Sequence, residues 1–178
     1  MSALEPDANI VLVGFMGAGK SAVGRSLARR LGRPFVDTDR EVERRAGRTI
    51  PAIFAAEGEP AFRALEREAI AETAARRGLV VATGGGAPVD PANLAALRAS
   101  GFVVYLAARP ETLLARVGAG EGRPVLAGAD DPAVRVRELL ERREPAYRQA
   151  DLIVETDDLA VAAVATRVLR AARARGIR

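Results

Sequence analysis

Gly14-Phe15-Met16-Gly17-Ala18-Gly19-Lys20-Ser21 sets a lysine and a serine directly behind a glycine, with a second glycine five residues before it. The apolar run Ile10-Val11-Leu12-Val13 leads in, and Ala22-Val23-Gly24-Arg25-Ser26-Leu27-Ala28 leads out as a plausible helix opening. A strand that turns through glycines into a helix N-terminus aims backbone N–H groups and the positive end of the helix dipole at one point, which suits phosphate oxygens. In that setting Lys20 reaches the outer phosphates and Ser21 offers a hydroxyl to Mg²⁺. Lys20 is also the only lysine among 27 Lys+Arg residues. A compact ammonium on a flexible stem can curl over such a loop where a broad guanidinium cannot, so arginine serves everywhere else in the chain but not here.

Outward from the loop, further short apolar runs alternate with helical patterns: Pro34-Phe35-Val36, Leu79-Val80-Val81-Ala82, Phe102-Val103-Val104-Tyr105-Leu106 and Leu152-Ile153-Val154. With the first run they read as five buried strands, apolar on both faces, which predicts a doubly wound α/β fold around a five-stranded parallel sheet. Helices are expected over about 20–31, 39–45, 59–77, 91–99, 110–117, 132–143 and 159–175. The stretch from Gly118 to Asp130 has four glycines and little periodicity. It reads as a connector or a lid, and Arg123 in its middle favours a lid.

The 178 residues, 49% hydrophobic, suffice for one core and favour a single domain over 1–178. Without Cys or His there is no disulfide, no Cys/His metal site and no thiol or imidazole catalysis, and any metal must be held by oxygen. The first residues lack the basic start and apolar run of a signal peptide, and no apolar stretch reaches the roughly 18 residues of a membrane span. A soluble, cytoplasmic protein with no membrane partner is expected. The net charge of +4 could suit nucleic acid, but aromatics are only 4% and the arginines lie beside glutamates along helices, so no nucleic-acid partner is expected either. No spare apolar face is visible, and a monomer is expected.

Many nucleotide-binding proteins share the phosphate loop, and absences narrow the choice. A guanine-reading Asn-Lys-x-Asp is impossible with the one lysine already used, and no apolar run ends in Asp-Glu. A small-molecule kinase remains. Asp37-Thr38-Asp39 follows the second strand, two carboxylates at alternate positions of an extended segment, expected to emerge at the carboxyl edge of the sheet beside the loop. One can hold Mg²⁺ and the other can accept a hydrogen bond from an attacking hydroxyl; both could equally form an N-cap cluster. Gly84-Gly85-Gly86 follows the third strand. Three glycines cost conformational entropy and suit a place where backbone approaches a ligand, or a tight turn before Pro88.

Taken in order, the phosphate loop, Asp37-Thr38-Asp39, Gly47-Arg48-Thr49-Ile50 to Ile53-Phe54, Gly58-Glu59 to Phe62-Arg63, Gly84-Gly85-Gly86-Ala87, Arg123-Pro124 and Arg143 to Tyr147-Arg148 closely resemble the shikimate kinases over nearly the whole chain. The resemblance implies a three-layer P-loop kinase fold similar to nucleoside monophosphate kinases, with a mobile lid at about 117–130. It implies transfer of the γ-phosphoryl of ATP to the 3-hydroxyl of shikimate, with Mg²⁺, in aromatic amino acid biosynthesis. Gly17, Ala18, Gly19, Lys20, Ser21, Ala22, Arg116 and Arg123 would bind ATP, with Arg116 stacking on adenine. Asp39, Arg63, Gly84, Gly85, Gly86 and Arg143 would bind shikimate, the two arginines on its carboxylate. Lys20, Asp39 and Arg123 would be catalytic, and Ser21 with Asp37 would hold the metal. Val125, Pro51, Pro60 and Asp157-Asp158 depart from the family pattern. A kinase for another hydroxylated acid such as gluconate, or a regulatory module that binds nucleotide without transfer, remain the alternatives.

Overall fold

The computed structural model describes residues 4–117 and 131–178. The expected lid with Arg123 and Val125 therefore lies outside the described residues. Five parallel strands, β1 (Asn9–Val13), β2 (Phe35–Asp37), β3 (Val80–Ala82), β4 (Gly101–Ala107) and β5 (Leu152–Glu155), form one sheet in the order β2-β3-β1-β4-β5. The helices are α1 (Lys20–Leu31), α2 (Thr38–Ala46), α3 (Ile50–Ala75), α4 (Pro91–Ser100), α5 (Pro110–Val117), α6 (Pro132–Tyr147) and α7 (Val161–Ala174).

The strand order explains the layering. From β1 the chain crosses to the edge strand β2, then returns through β3 and passes over β1 to β4 in the opposite direction. Right-handed crossovers in opposite directions lay their helices on opposite faces, so α1 covers one face with α7 against it, and α3 and α4 cover the other. The chain reverses its direction of travel around β1, and the carboxyl ends of the strands at such a point form a crevice. The phosphate loop opens there.

Burial follows the sequence pattern for β1 and β4, every residue of which is buried. β5 differs from the expectation of five buried strands. It lies at the sheet edge with Val154 buried and Ile153 and Glu155 exposed, because only one neighbour and one helix face are available to cover it. Burying the apolar sides of β1, β3 and β4 under α1, α4 and α7 builds the main core, while Val42, Ile53, Phe62 and Ala69 form a satellite core between α2 and α3.

The third helix begins earlier than expected. Thr49 caps it, accepting from the Ala52 N–H at 3.4 Å, and Pro51 takes a first-turn position where no N–H is needed. The helix breaks at Gly58 (φ 78°, ψ −179°) and resumes through Pro60, again within a first turn. Both unusual prolines thus sit at helix starts. The sixth helix likewise runs past the expected end at Arg143 to Tyr147.

Candidate active site

Gly19, in the left-handed region at φ 91°, caps α1 without a side-chain contact, leaving the helix start open to a ligand. No acid stands in the first turn, so the positive end of the dipole is not offset from within the helix. The Lys20 side chain curls back over the loop, its Nζ donating to the carbonyls of Gly14 and Phe15 at 2.8 Å each. Ser21 Oγ donates to Asp37 Oδ2 at 2.8 Å, joining the loop to the end of β2.

Asp37 serves both readings of its motif, since its other oxygen accepts from the Asp39 N–H at 3.2 Å and caps α2. Contrary to the expectation from sequence, the Asp-Thr-Asp segment is not extended throughout. β2 ends at Asp37 and Thr38 begins the helix, so Asp39 belongs to the first helical turn. Thr38, fully buried between them, accepts from the Gly84 N–H at 3.0 Å and ties this turn to the glycine segment. Burial raises the Asp39 carboxyl to about 6, helped by Asp37, opposed by Lys20 and helped further by Glu66 and Glu43.

The three glycines make room chiefly for side chains. A methyl group on Gly84 would stand 2.4 Å from Asp39 Oδ1, and one on Gly86 would stand 2.7 and 2.8 Å from the Arg63 terminal nitrogens. One on Gly85 would touch Arg143 Nη1 at 3.4 Å. Each glycine therefore lets one polar side chain close on the strand end, a reason the sequence did not display. The Gly85 carbonyl accepts a hydrogen bond from the Tyr147 hydroxyl, and the Tyr147 ring packs on Tyr105 at 5.1 Å. Burial holds the Tyr147 phenol well above its ordinary range, so it remains a donor.

Arg143, 8% exposed, lies with its guanidinium 5.5 Å from the centre of the Phe15 ring. Arg63 donates from Nη1 to Glu66 Oε2 at 2.7 Å, and from Nε and Nη2 to Glu59 Oε1 at 3.1 and 2.9 Å. Glu66 is 1% exposed. Burial raises its carboxyl while Arg63 and Arg143 oppose the rise. In the same way burial works against the Arg63 charge, but Glu66 and Glu59 outweigh it and hold the guanidinium firmly protonated.

Met16, Gly17, Gly19, Lys20, Ser21, Ala22, Asp37, Asp39, Thr83 and Gly85 line an open cleft of about 310 Å³. Ala18 is buried beneath the loop, its N–H donating to the Phe15 carbonyl. On the other side of the loop, α5 packs on Gly17, and Arg116 turns toward the segment after β5, donating to the Thr156 hydroxyl at 3.2 Å and to the Thr156 and Asp157 carbonyls at 2.8 and 3.2 Å. Glu66, Thr38 and Tyr147 were not singled out from sequence. The three-residue spacing of Arg63 and Glu66 on one helix face was the available signal for the first.

Ser21 and Asp37 offer two hard oxygens to a magnesium ion, and among the described residues no cluster of three acidic groups forms a self-sufficient metal cage. That donor set fits Mg²⁺, which uses one or two protein oxygens and fills its shell from phosphates and water.

A family model described as shikimate kinase matches residues 16–173. The shikimate kinase of Symbiobacterium thermophilum is 52% identical over 174 residues, covering 96% of this chain and 99% of that enzyme. The solved structure of the shikimate kinase from Acinetobacter baumannii in complex with shikimate superposes with a TM-score of 0.92 at 42% identity, covering 98% of this chain and 97% of that one. A gluconokinase from Sinorhizobium meliloti, at a TM-score of 0.63 and 21% identity, shares the fold alone. With the cradle, the paired acids and the two arginines in one chain that matches across nearly its full length, the protein belongs to the shikimate kinase family.

Proposed function

We propose that this chain transfers the γ-phosphoryl group of ATP to the 3-hydroxyl of shikimate, giving 3-phosphoshikimate and ADP. The observation that carries the reading is the meeting in one crevice of a phosphate loop and a half-buried carboxylate, Asp39, with two arginines pressed against the adjoining glycines. A phosphate cradle alone would bind nucleotide; the arginines add a place for an acid.

In the proposed complex the N–H groups of residue 17 and residues 19–22 cradle the phosphates around the turn held by Ala18, and Lys20 exchanges its carbonyl partners for phosphate oxygens. Ser21 and Asp37 hold Mg²⁺, which supplies positive charge to the phosphoryl oxygens. Arg63 and Arg143 bind the shikimate carboxylate, and two charge-assisted contacts at about 1.5–3 kcal/mol each favour an acid over its neutral analogue by more than tenfold. The backbone of 84–86 bounds the ring, and Asp39 accepts a hydrogen bond from the reacting hydroxyl. Transfer runs in line through a loose transition state, so the protein's work is positioning and charge stabilisation. Arg116 borders the adenine end, and the part assigned to Arg123 rests on the resemblance alone.

The test is ADP release from Mg-ATP with shikimate, quinate, gluconate and nucleoside monophosphates as acceptors. Strong preference for shikimate is expected. Turnover of gluconate in its place, or nucleotide binding with no acceptor phosphorylated, overturns the reading.

A further inference from the structure

Arg63 holds two carboxylates of very different cost to remove. Glu66, which accepts from Nη1, is 1% exposed and has no water to turn to, so it is a fixed partner. Glu59, which takes both Nε and Nη2 on one oxygen, has a side chain 61% exposed and can swing into solvent. The guanidinium itself is confined, with Gly86 close against its terminal nitrogens and the Phe62 ring 5.1 Å from its carbon. If one member of this group exchanges, it is Glu59.

The Nε–Nη2 edge is one on which an arginine can grip a carboxylate with two parallel hydrogen bonds. In this structure a glutamate four residues earlier on the same helix covers it. We propose that Glu59 is a displaceable stand-in for the acceptor's carboxylate: it occupies the binding edge of Arg63 in the free enzyme and yields that edge to an incoming acid. The proposal rests on the assignment of Arg63 to the acceptor carboxylate. Glu59 keeps the half-exposed guanidinium paired and pointed while the cleft is empty, and the acid must compete with it. A neutral ligand cannot make the exchange and leaves Glu59 in place.

The displaced contact is an exposed ion pair, for which measured couplings correspond to a factor of up to about five in an equilibrium constant. In Glu59→Gln the dissociation constant of shikimate, measured by calorimetry on the full chain, is therefore expected to fall about two- to fivefold, and the gain to enter KM rather than kcat. The dissociation constant of shikimate methyl ester, which has no carboxylate, is expected not to change. Glu57→Gln removes the same charge from an exposed glutamate paired with Arg48 and is expected to leave shikimate binding as it was. Unchanged or weakened shikimate binding in Glu59→Gln, an equal gain for the ester, or an equal gain in Glu57→Gln would each overturn the proposal. Failure of the wild-type chain to bind shikimate at all would instead overturn the functional reading beneath it, and the proposal with it.

Discussion

Asp39 has its carboxyl raised from 3.8 to about 6 by burial first, then by Asp37, against the pull of Lys20. A carboxyl that binds its proton more tightly folded than unfolded lowers stability as pH rises between those two values, since the folded chain then holds more protons than the unfolded one. The gap of about two units corresponds to about 3 kcal/mol at neutral pH. Asp39→Asn is accordingly expected to raise the melting temperature by several degrees at pH 8 and to leave it nearly unchanged near pH 3.5, as scanning calorimetry can follow. The same variant should lose phosphoryl transfer by about 10²-fold or more. In the wild type, kcat/KM should climb through an ionisation near pH 6, and a flat profile between pH 5 and 7 would refute that role. At this scale the sequence pointed to Asp39 through its own motif and to Arg63 and Arg143 only through the family resemblance, whereas Glu66 stayed hidden. A glutamate in a charged helix looks solvated until its burial against Arg63 is seen.

Among the elements, the glycine segment after β3 is the joint on which the site turns. Its sequence announced a close approach but not of what, because the side chains that close on it arrive from α2, α3 and α6. Gly86→Ala would press on the terminal nitrogens of Arg63 and force the guanidinium off its place against Glu66, with no clash against backbone. The expected outcome is a shikimate KM raised about tenfold, the order of one charge-assisted contact, together with a lowered melting temperature as the buried Glu66 loses its close partner. Steady-state kinetics and thermal denaturation would read the two effects separately. The third helix was only half legible. Gly58 and Pro60 look like a terminus, yet the chain bends there and both halves are helical, since Ile53 before the break and Phe62 and Ala69 after it share the satellite core with Val42. That shared packing is tertiary and leaves no mark in the local pattern.

For the molecule as a whole, the alternation of apolar runs and helical stretches was enough to imply the parallel sheet. It did not disclose the strand order, which is fixed by contacts across long separations such as Ile10 with Val80 and Val11 with Val103. Nor could it mark β5 as half exposed, because edge position is a property of the assembled sheet. The phosphate loop was fully legible because its chemistry is local. Strand, glycines, lysine and helix start are consecutive in the chain and remain adjacent in space.

The folded-back Lys20 gives the protein an unusual analytical property. Its ε-amine is the only one in the sequence. An amine-directed acylating reagent therefore has a single side-chain target, and it sits at the phosphate cradle. Acylation of Lys20 should abolish turnover, and ATP should slow it while shikimate alone should not, a contrast read by mass mapping of the Lys20 peptide, which separates it from acylation of the α-amine. Reductive methylation with isotopically enriched formaldehyde would likewise install one side-chain reporter, whose resonance is expected to shift on adding nucleotide if the proposed exchange of the Gly14 and Phe15 carbonyls for phosphate takes place.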